Sequence, residues 1–519
     1  MKRIIIAFLV VSLFVILEAQ NCDLKWNRPW LSSNHQTSFL KDQLDEELIL
    51  HQEPYKLEDS TRESIFALSS VRAFKLALNN FFSRKDKSTL INYRTPQRFD
   101  YGPGYTNLPS AQVPMDTMLK ISLFSGFDYF VRDNDSYSFM YYGTRMAAHI
   151  NSRLFITGQC WAGHFSGDMA YAEGSSLIDS WYKFSDDDKA LYLDNVSGSI
   201  TYRGAGDFWS VSIGRNKYEI GSNIGGSVIL NNDCNEYGYF STKFIFPHVY
   251  ISYLHAALIP DSARFDNKDF ADKFIAVHKI GWTPYKNFEL FAGELMVYAN
   301  RSLDLNYLLP HSFWRVTEHN LSDRDNALIF TGLNYKPKPD LHLYFNFLLD
   351  ELKKKEFFGD WWGNKYAFQL GASYTFDIKR SGIMSLEFTA IRPWLYTHYI
   401  QENRYSHNDI SLGFPSGSNL IQYTAELCYD LLPSLNFNTR ISYLRQGSVG
   451  NSFTINYNDR PSDEAEWLEG DIIDSAIISP TLTWQFLAHH KVRSGIKHEY
   501  NRNDDTTCTE LYLSYQALY

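Results

Sequence analysis

The sequence predicts an all-β transmembrane barrel of about 18 antiparallel strands, with a small N-terminal α-helical periplasmic domain ahead of it. Three observations carry that prediction. The first lies between Ala327 and Leu349, where two alternating apolar and polar runs flank a tight Lys336-Pro337-Lys338-Pro339 turn. Successive strand side chains point to opposite faces, so Leu341, Leu343, Phe345, Phe347 and Leu349 share one face, and His342, Tyr344, Asn346 and Asp350 share the other. A sheet that is greasy on one side and wet on the other crosses a membrane only as a closed ring, because a free edge would leave backbone groups unpaired in lipid.

The second observation is composition: aromatic residues make up 16% of the 519-residue chain, with 35 Tyr and 37 Phe, which suits strands with aromatic girdles. The third is the spacing of connections. Strand-like runs begin near residues 118, 137, 151, 196, 208, 236, 247, 271, 288, 326, 340, 364, 383, 419, 435, 474, 491 and 506. Short turns at 204–207, 284–287, 336–339, 432–434 and 488–490 follow even-numbered runs; long segments at 163–195, 300–325, 397–418 and 446–470 follow odd-numbered ones. Outer-membrane barrels alternate short periplasmic turns with long outer loops in this way. An even strand count puts both termini in the periplasm, and the final run ends on the aromatic Tyr519.

Upstream of the strands, Lys2 and Arg3 precede an apolar run from Ile4 to Leu17, which reads as a signal peptide over residues 1–19 and is too short to span as a helix. Residues 20–115 read as the helical domain and linker, and 116–519 as the barrel. Within the former, the period changes to about 3.6: Leu40, Leu44 and Leu48 share a face, and Ser60 with Glu63 makes a capping box before Ile65, Leu68 and Val71. The Pro- and Gly-rich stretch from Tyr93 to Pro114 is the linker.

The net charge of −10 implies no attraction to nucleic acid. Five widely scattered cysteines show neither a metal spacing nor a disulfide framework, and Cys22 lacks the small preceding residue expected of a lipidated cysteine. Metalloprotease, nucleophile-elbow, phosphate-loop and paired-cysteine motifs are absent, so no catalytic residue, cofactor or metal ligand is assigned and the chain does not read as an enzyme. The acidic run Asp186-Asp187-Asp188 reads as a solvated loop tip.

The informative stretch is Ile391 to Asn419, IRPWLYTHYIQENRYSHNDISLGFPSGSN, where the thirteenth run emerges on the outer side. Sugars present C–H faces and hydroxyl edges, so a carbohydrate site needs flat aromatic rings beside groups that donate and accept. Arg392, Trp394, Tyr396, His398, Tyr405 and His407 supply both and are the candidate substrate-binding residues. The competing reading places the same residues in an aromatic girdle and among lumen-filling polar groups.

This stretch, with its R-P-x-x-Y-x-H, Y-x-H, L-G and G-S-N elements, resembles the signature of the Wzi-type capsule-assembly family of outer-membrane barrels. Two further segments are similar: GRNKYEIGSNIGGSVIL at 214–230, and EHNLSDRDNALI at 318–329 with LLDEL at 348–352. The chain departs from the family at Ile220-Gly221, where a Trp-Gly is usual, and lacks the acidic residue expected around Ser418-Asn419-Leu420. The resemblance implies an 18-stranded barrel with a helical periplasmic element, acting as a lectin that helps anchor capsular polysaccharide. Its expected partners are that polysaccharide or another surface glycan, outer-membrane lipid and export machinery. A porin, or an accessory barrel for protein or glycan secretion, is the alternative.

Overall fold

The computed structural model describes residues 118–518, apart from the turn residues 134, 151–152, 205–207, 286, 433 and 488–489 and the stretches 169–189, 262–271 and 354–358. The signal peptide, the helical domain, the linker, Cys22, Asp186 to Asp188 and Tyr519 lie outside the described residues.

The strands are β1 (Met118–Arg132), β2 (Asp135–Ile150), β3 (Leu154–Gly167), β4 (Ala190–Arg203), β5 (Trp209–Asn216), β6 (Tyr237–Ile245), β7 (Val249–Leu258), β8 (Lys273–Tyr285), β9 (Phe288–Ala299) and β10 (Asn326–Lys338). They continue as β11 (Leu341–Glu351), β12 (Lys365–Ile378), β13 (Arg380–Ile391), β14 (Ser406–His407), β15 (Ile410–Ser411), β16 (Leu420–Leu432), β17 (Leu435–Gly447), β18 (Ile472–Leu487), β19 (His490–Asn501) and β20 (Thr506–Leu518). β14 and β15 form a two-stranded ladder of their own; the other 18 make one antiparallel sheet, each strand paired with its sequence neighbour. The ring closes through β1 and β20, with Phe124 opposite Leu518 and Arg132 opposite Glu510.

All 18 expected runs are strands, and every one except the fourth begins within three residues of its expected position. β4 begins at Ala190 rather than near 196. Asp194 and Asn195 look loop-like in sequence, but Asn195 points inward, where its amide donates to Glu236 at 2.9 Å. The alternation of connections also holds. Every connection at one end of the barrel, here the turn end, is short; the long connections after β3, β5, β7, β9, β11, β13 and β17 gather at the other, the loop end, together with the short ones after β1 and β19.

Side-chain alternation sets what each face meets. Ile213, Ile280, Leu370, Met384, Leu386, Ile441 and Leu511 are exposed on the outer wall, while Asn334, His342, Asn346, Gln369, Ser385, Glu387, Thr389 and Glu426 are buried on the inner one. Such outward apolar area fits hydrocarbon. Inner polar groups are paired across strands, as where Arg440 donates to Glu426 through Nε at 3.0 Å and Nη2 at 2.8 Å, with Asn438 on the other carboxylate oxygen at 2.7 Å.

Not all of the inner wall is polar. Toward the loop end Leu254, Ile275, Val277, Leu295, Val297, Leu328 and Leu348 form an apolar inner surface. A second inward cluster on β1 to β4 stacks Phe130 on Tyr137 at 4.7 Å and Phe139 on Phe165 at 4.3 Å. Apolar inner walls would be costly beside water, so segments of the chain must cover them.

Candidate functional site

Two long connections supply that cover for the first of these surfaces. The 217–236 segment between β5 and β6 and the 392–419 segment between β13 and β16 fold into the barrel rather than away from it. Val228, Ile229 and Leu230 from the first, and Leu395, Tyr396, Tyr405, Leu412 and Phe414 from the second, pack in one core with the apolar wall residues, all fully buried. Connecting chain with no barrel-type ladder must satisfy its backbone groups some other way when buried. Here the inner wall does so: Glu387 on β13 accepts from the Ile224 N–H at 2.8 Å, the Gly225 N–H at 3.0 Å and the Tyr344 hydroxyl at 2.7 Å. Gln369 donates to the Gly226 carbonyl at 2.8 Å, and Asn346 to the Ser222 carbonyl at 2.7 Å.

All six candidate residues lie in or beside this inserted structure. Tyr396 and Tyr405 reach across to the other segment, their hydroxyls donating to the Val228 and Ile229 carbonyls. Trp394 and Tyr396 hold left-handed backbone conformations, with φ of 65° and 71°, uncommon for bulky residues. Gly450 permits the first, since a Cβ there would meet the Trp394 ring at 2.6 Å, while its carbonyl accepts the Trp394 N–H at 2.8 Å. Arg392 donates to the Ala465 carbonyl at 2.7 Å and to that of Asn364 at 3.3 Å, with its guanidinium 5.5 Å from the Trp467 ring centroid.

The two histidines act as buried acceptors. His398 Nδ1 takes the Ile400 N–H at 3.1 Å and His407 Nδ1 takes the Ile259 N–H at 2.9 Å. Burial lowers both imidazoles, His398 to about 4 and His407 to about 3, the nearby Lys273 adding to the effect at His407. Both are therefore neutral at pH 7.

As sugar-binding platforms at the mouth, these six side chains are poorly placed. Arg392 and Trp394 are each 2% exposed, Tyr396 and Tyr405 0%, His407 1% and His398 8%. Their contacts bind one piece of chain to another. Of this segment's rings Tyr399 reaches the surface, and the others beside it there come from two further connections. Trp361 and Trp362 between β11 and β12 have centroids 5.8 Å apart; Trp362 lies 5.1 Å from Tyr457 of the 448–471 loop, which lies 6.3 Å from the exposed Tyr399. The Arg460 guanidinium sits 4.0 Å from the Trp362 centroid and the Lys365 ammonium 4.8 Å from that of Tyr457. All four rings are partly or largely exposed. The tandem tryptophan in a connecting segment was the sequence signal for this platform.

The segments singled out in the sequence converge here. Asn326 donates to the Asn403 carbonyl at 2.9 Å, Asn403 to the Arg324 carbonyl at 2.8 Å and Tyr399 to the Asp323 carbonyl at 3.2 Å, linking the connection before β10 to the 392–419 segment. Among the described residues one group, Glu318, His319 and Asp323, has donor atoms within 4.8 Å of one another. Glu318 is already engaged by Arg315 at 3.0 Å and by the Asp325 N–H at 3.3 Å.

A closed 18-stranded antiparallel ring, apolar outside and polar within, with connections lodged in its lumen, has the architecture of an outer-membrane barrel. No family model matches the chain, and no curated protein matches it significantly. Among solved structures it is similar to Wzi, described as an outer membrane protein involved in group 1 capsule assembly in Escherichia coli and as a carbohydrate-binding β-barrel. That match has 12% identity, covers 76% of this chain and 83% of Wzi, and has a TM-score of 0.50. It is also similar to Pseudomonas aeruginosa OprD, at 12% identity over 77% of this chain and 95% of that one with a TM-score of 0.43. Acinetobacter baumannii OccAB4 matches at 11% identity over 78% and 98% of the two chains, with a TM-score of 0.45. At such identities the likeness is one of fold.

Proposed function

We propose that the protein is a non-catalytic outer-membrane barrel that binds a capsular or other surface polysaccharide and helps hold it at the cell. The observation carrying this reading is the partly exposed platform of Trp361, Trp362, Tyr399 and Tyr457 beside Arg460, its rings borne on three different loop-end connections. Rings give flat surface for sugar C–H faces, and Arg460, held over Trp362 by Asp463, puts guanidinium donors at their edge, while Lys365 is buried under Tyr457 against Asp350 and Glu351. A long polymer engages such weak contacts repeatedly, so modest affinity per repeat suffices for retention.

Two further points support it. The carbohydrate-binding Wzi shares the fold, and the 217–236 and 392–419 segments occupy lumen that a wide aqueous channel would need free. In this reading Arg392, Trp394, Tyr396, His398, Tyr405 and His407 brace the loops that carry Tyr399 and, through Gly450 and Ala465, the loop that carries Tyr457.

The test is retention of polysaccharide on cells expressing Trp362→Ala, Tyr457→Ala or both, with heat-modifiable gel migration as the folding control. Cell-bound polysaccharide should fall and the shed fraction rise, more in the double variant. Unchanged retention in folded variants, together with a large steady conductance of the wild-type protein in planar bilayers, would replace this reading with that of a channel.

A further inference from the structure

The connection between β9 and β10 does the opposite of the two inserted segments: it folds over the outside of the wall. The parity of β8 and β9 establishes this. Ile280, Trp282 and Leu290 are exposed on the outer face, at 47%, 49% and 40%, so the even-numbered His278, Glu294, Met296 and Tyr298 share that outer face. Each of these is nevertheless buried.

What covers them is a short helix, α1 (Trp314–Asn320), with the turn before it. The Trp314 ring stacks on His278 at 4.1 Å and meets Tyr253 of β7 edge-on at 6.1 Å. Glu294 is hydrogen-bonded to His278 at 3.0 Å and accepts the Trp314 and Arg315 N–H groups at 2.8 and 3.1 Å. Two ionisable groups on the outward face of a membrane barrel would be strongly unfavourable in contact with lipid. The helix removes them from that contact and has its first N–H groups satisfied in return.

The far side of this cover is apolar. Leu303, Leu305, Leu309, Phe313 and Val316 are exposed at 43%, 71%, 50%, 78% and 60%. Their height on the barrel follows from register: Glu294 pairs with Ile329 of β10, itself 40% exposed on the outer face, so the row that α1 covers is still part of the apolar belt. Exposed apolar side chains at that height, on the same outer face as Ile280, Trp282 and Leu290, meet whatever the belt meets. We infer that the 303–316 segment is embedded in the outer leaflet of the membrane, a loop-borne lipid anchor clamped to the outer wall through Trp314, His278 and Glu294.

The test uses the full chain, its five cysteines replaced by Ser, reconstituted in dioleoylphosphatidylcholine vesicles. Nitroxide labels are placed singly at Phe313→Cys, Val316→Cys and Leu309→Cys, with Ile280→Cys as the wall reference and His319→Cys as the solvent reference. The three test labels should collide more with oxygen than with a water-soluble nickel chelate, as at 280, and the order should reverse at 319. Greater nickel than oxygen collision at the three sites would place the segment in water. Dipolar broadening with low access to both quenchers would make it a contact between copies of the chain. Either result overturns the lipid assignment. Three separate sites keep the outcome readable if one variant fails to insert.

Discussion

Tyr396 and Tyr405 donate their hydroxyls to two successive carbonyls, those of Val228 and Ile229, at 2.8 and 2.7 Å, with their own rings stacked 5.8 Å apart. This pair of bonds ties the two inserted segments together over the apolar inner wall toward the loop end. The adjoining Asn231 N–H to Leu412 carbonyl bond, at 2.7 Å, continues the seam.

Replacing both tyrosines by Phe keeps the rings and removes both donors, leaving two buried carbonyls unpaired. Each loss costs about 1–3 kcal/mol, and because the rings touch the two costs will not simply add. The barrel should still insert, since its strand ladder is untouched. The inserted segments should loosen, seen as frequent short conductance openings in planar bilayers and faster cleavage in the 217–236 or 392–419 segment. A variant as closed and as protease-resistant as wild type would show that the apolar packing alone holds the seam.

Glu387→Ala should act more strongly than either single Tyr→Phe change. It removes an acceptor shared by the Ile224 and Gly225 N–H groups and the Tyr344 hydroxyl. Three donors, two of them buried, then lack that partner. Openings should be longer and larger than in the tyrosine variants. Glu387→Gln should be intermediate, keeping the carbonyl oxygen as one acceptor.

Acidification should loosen the same structure. His398 and His407 are held at about 4 and about 3 in the folded protein, against an ordinary value near 6.5. A depressed pKa means the unfolded or opened state binds protons more readily, so the packing has its full stability above about pH 6.5 and loses it progressively down toward pH 4 to 3. The slope is at most about 1.4 kcal/mol per pH unit for each histidine. Protonation also abolishes the acceptor role of each Nδ1, releasing the Ile400 and Ile259 N–H groups. Conductance at pH 4.5 should exceed that at pH 7.5, reversibly, and His407→Gln should flatten the dependence. Equal closure at both values would mean that neither ring titrates with opening.

The strands were legible because their period is local. Leu341 to Leu349 declares its two faces within a few residues, and the outward placement of its leucines and phenylalanines needs no knowledge of any other strand. What the loops do was not legible in that way. The run Val228, Ile229, Leu230 has no alternation, and nothing nearby in sequence says that its partners are Tyr396 and Tyr405, more than 160 residues on. Aromatic residues just past a strand end therefore read as surface platforms, whereas they are the bolts of an inner seam. One neglected clue was Glu294: it falls in phase with Leu290 and Ala292 on the lipid face, so a carboxylate there already required a cover from elsewhere in the chain.

The remaining prediction concerns which end of the barrel faces out. Long connections follow β3, β5, β7, β9, β11, β13 and β17, and short ones follow every even-numbered barrel strand, so a single sidedness fixes them all. The usual pattern puts long loops outside. The inferred lipid anchor and the aromatic platform both lie toward the loop end, and a polysaccharide-retaining surface there requires it to be the outer one. An epitope inserted in the 448–471 loop should accordingly be labelled on intact cells. One inserted in the turn between Lys338 and Leu341 should be labelled only after the outer membrane is permeabilised. Labelling of the turn on intact cells, with none at the loop, would invert the barrel and remove the proposed glycan platform from the cell surface.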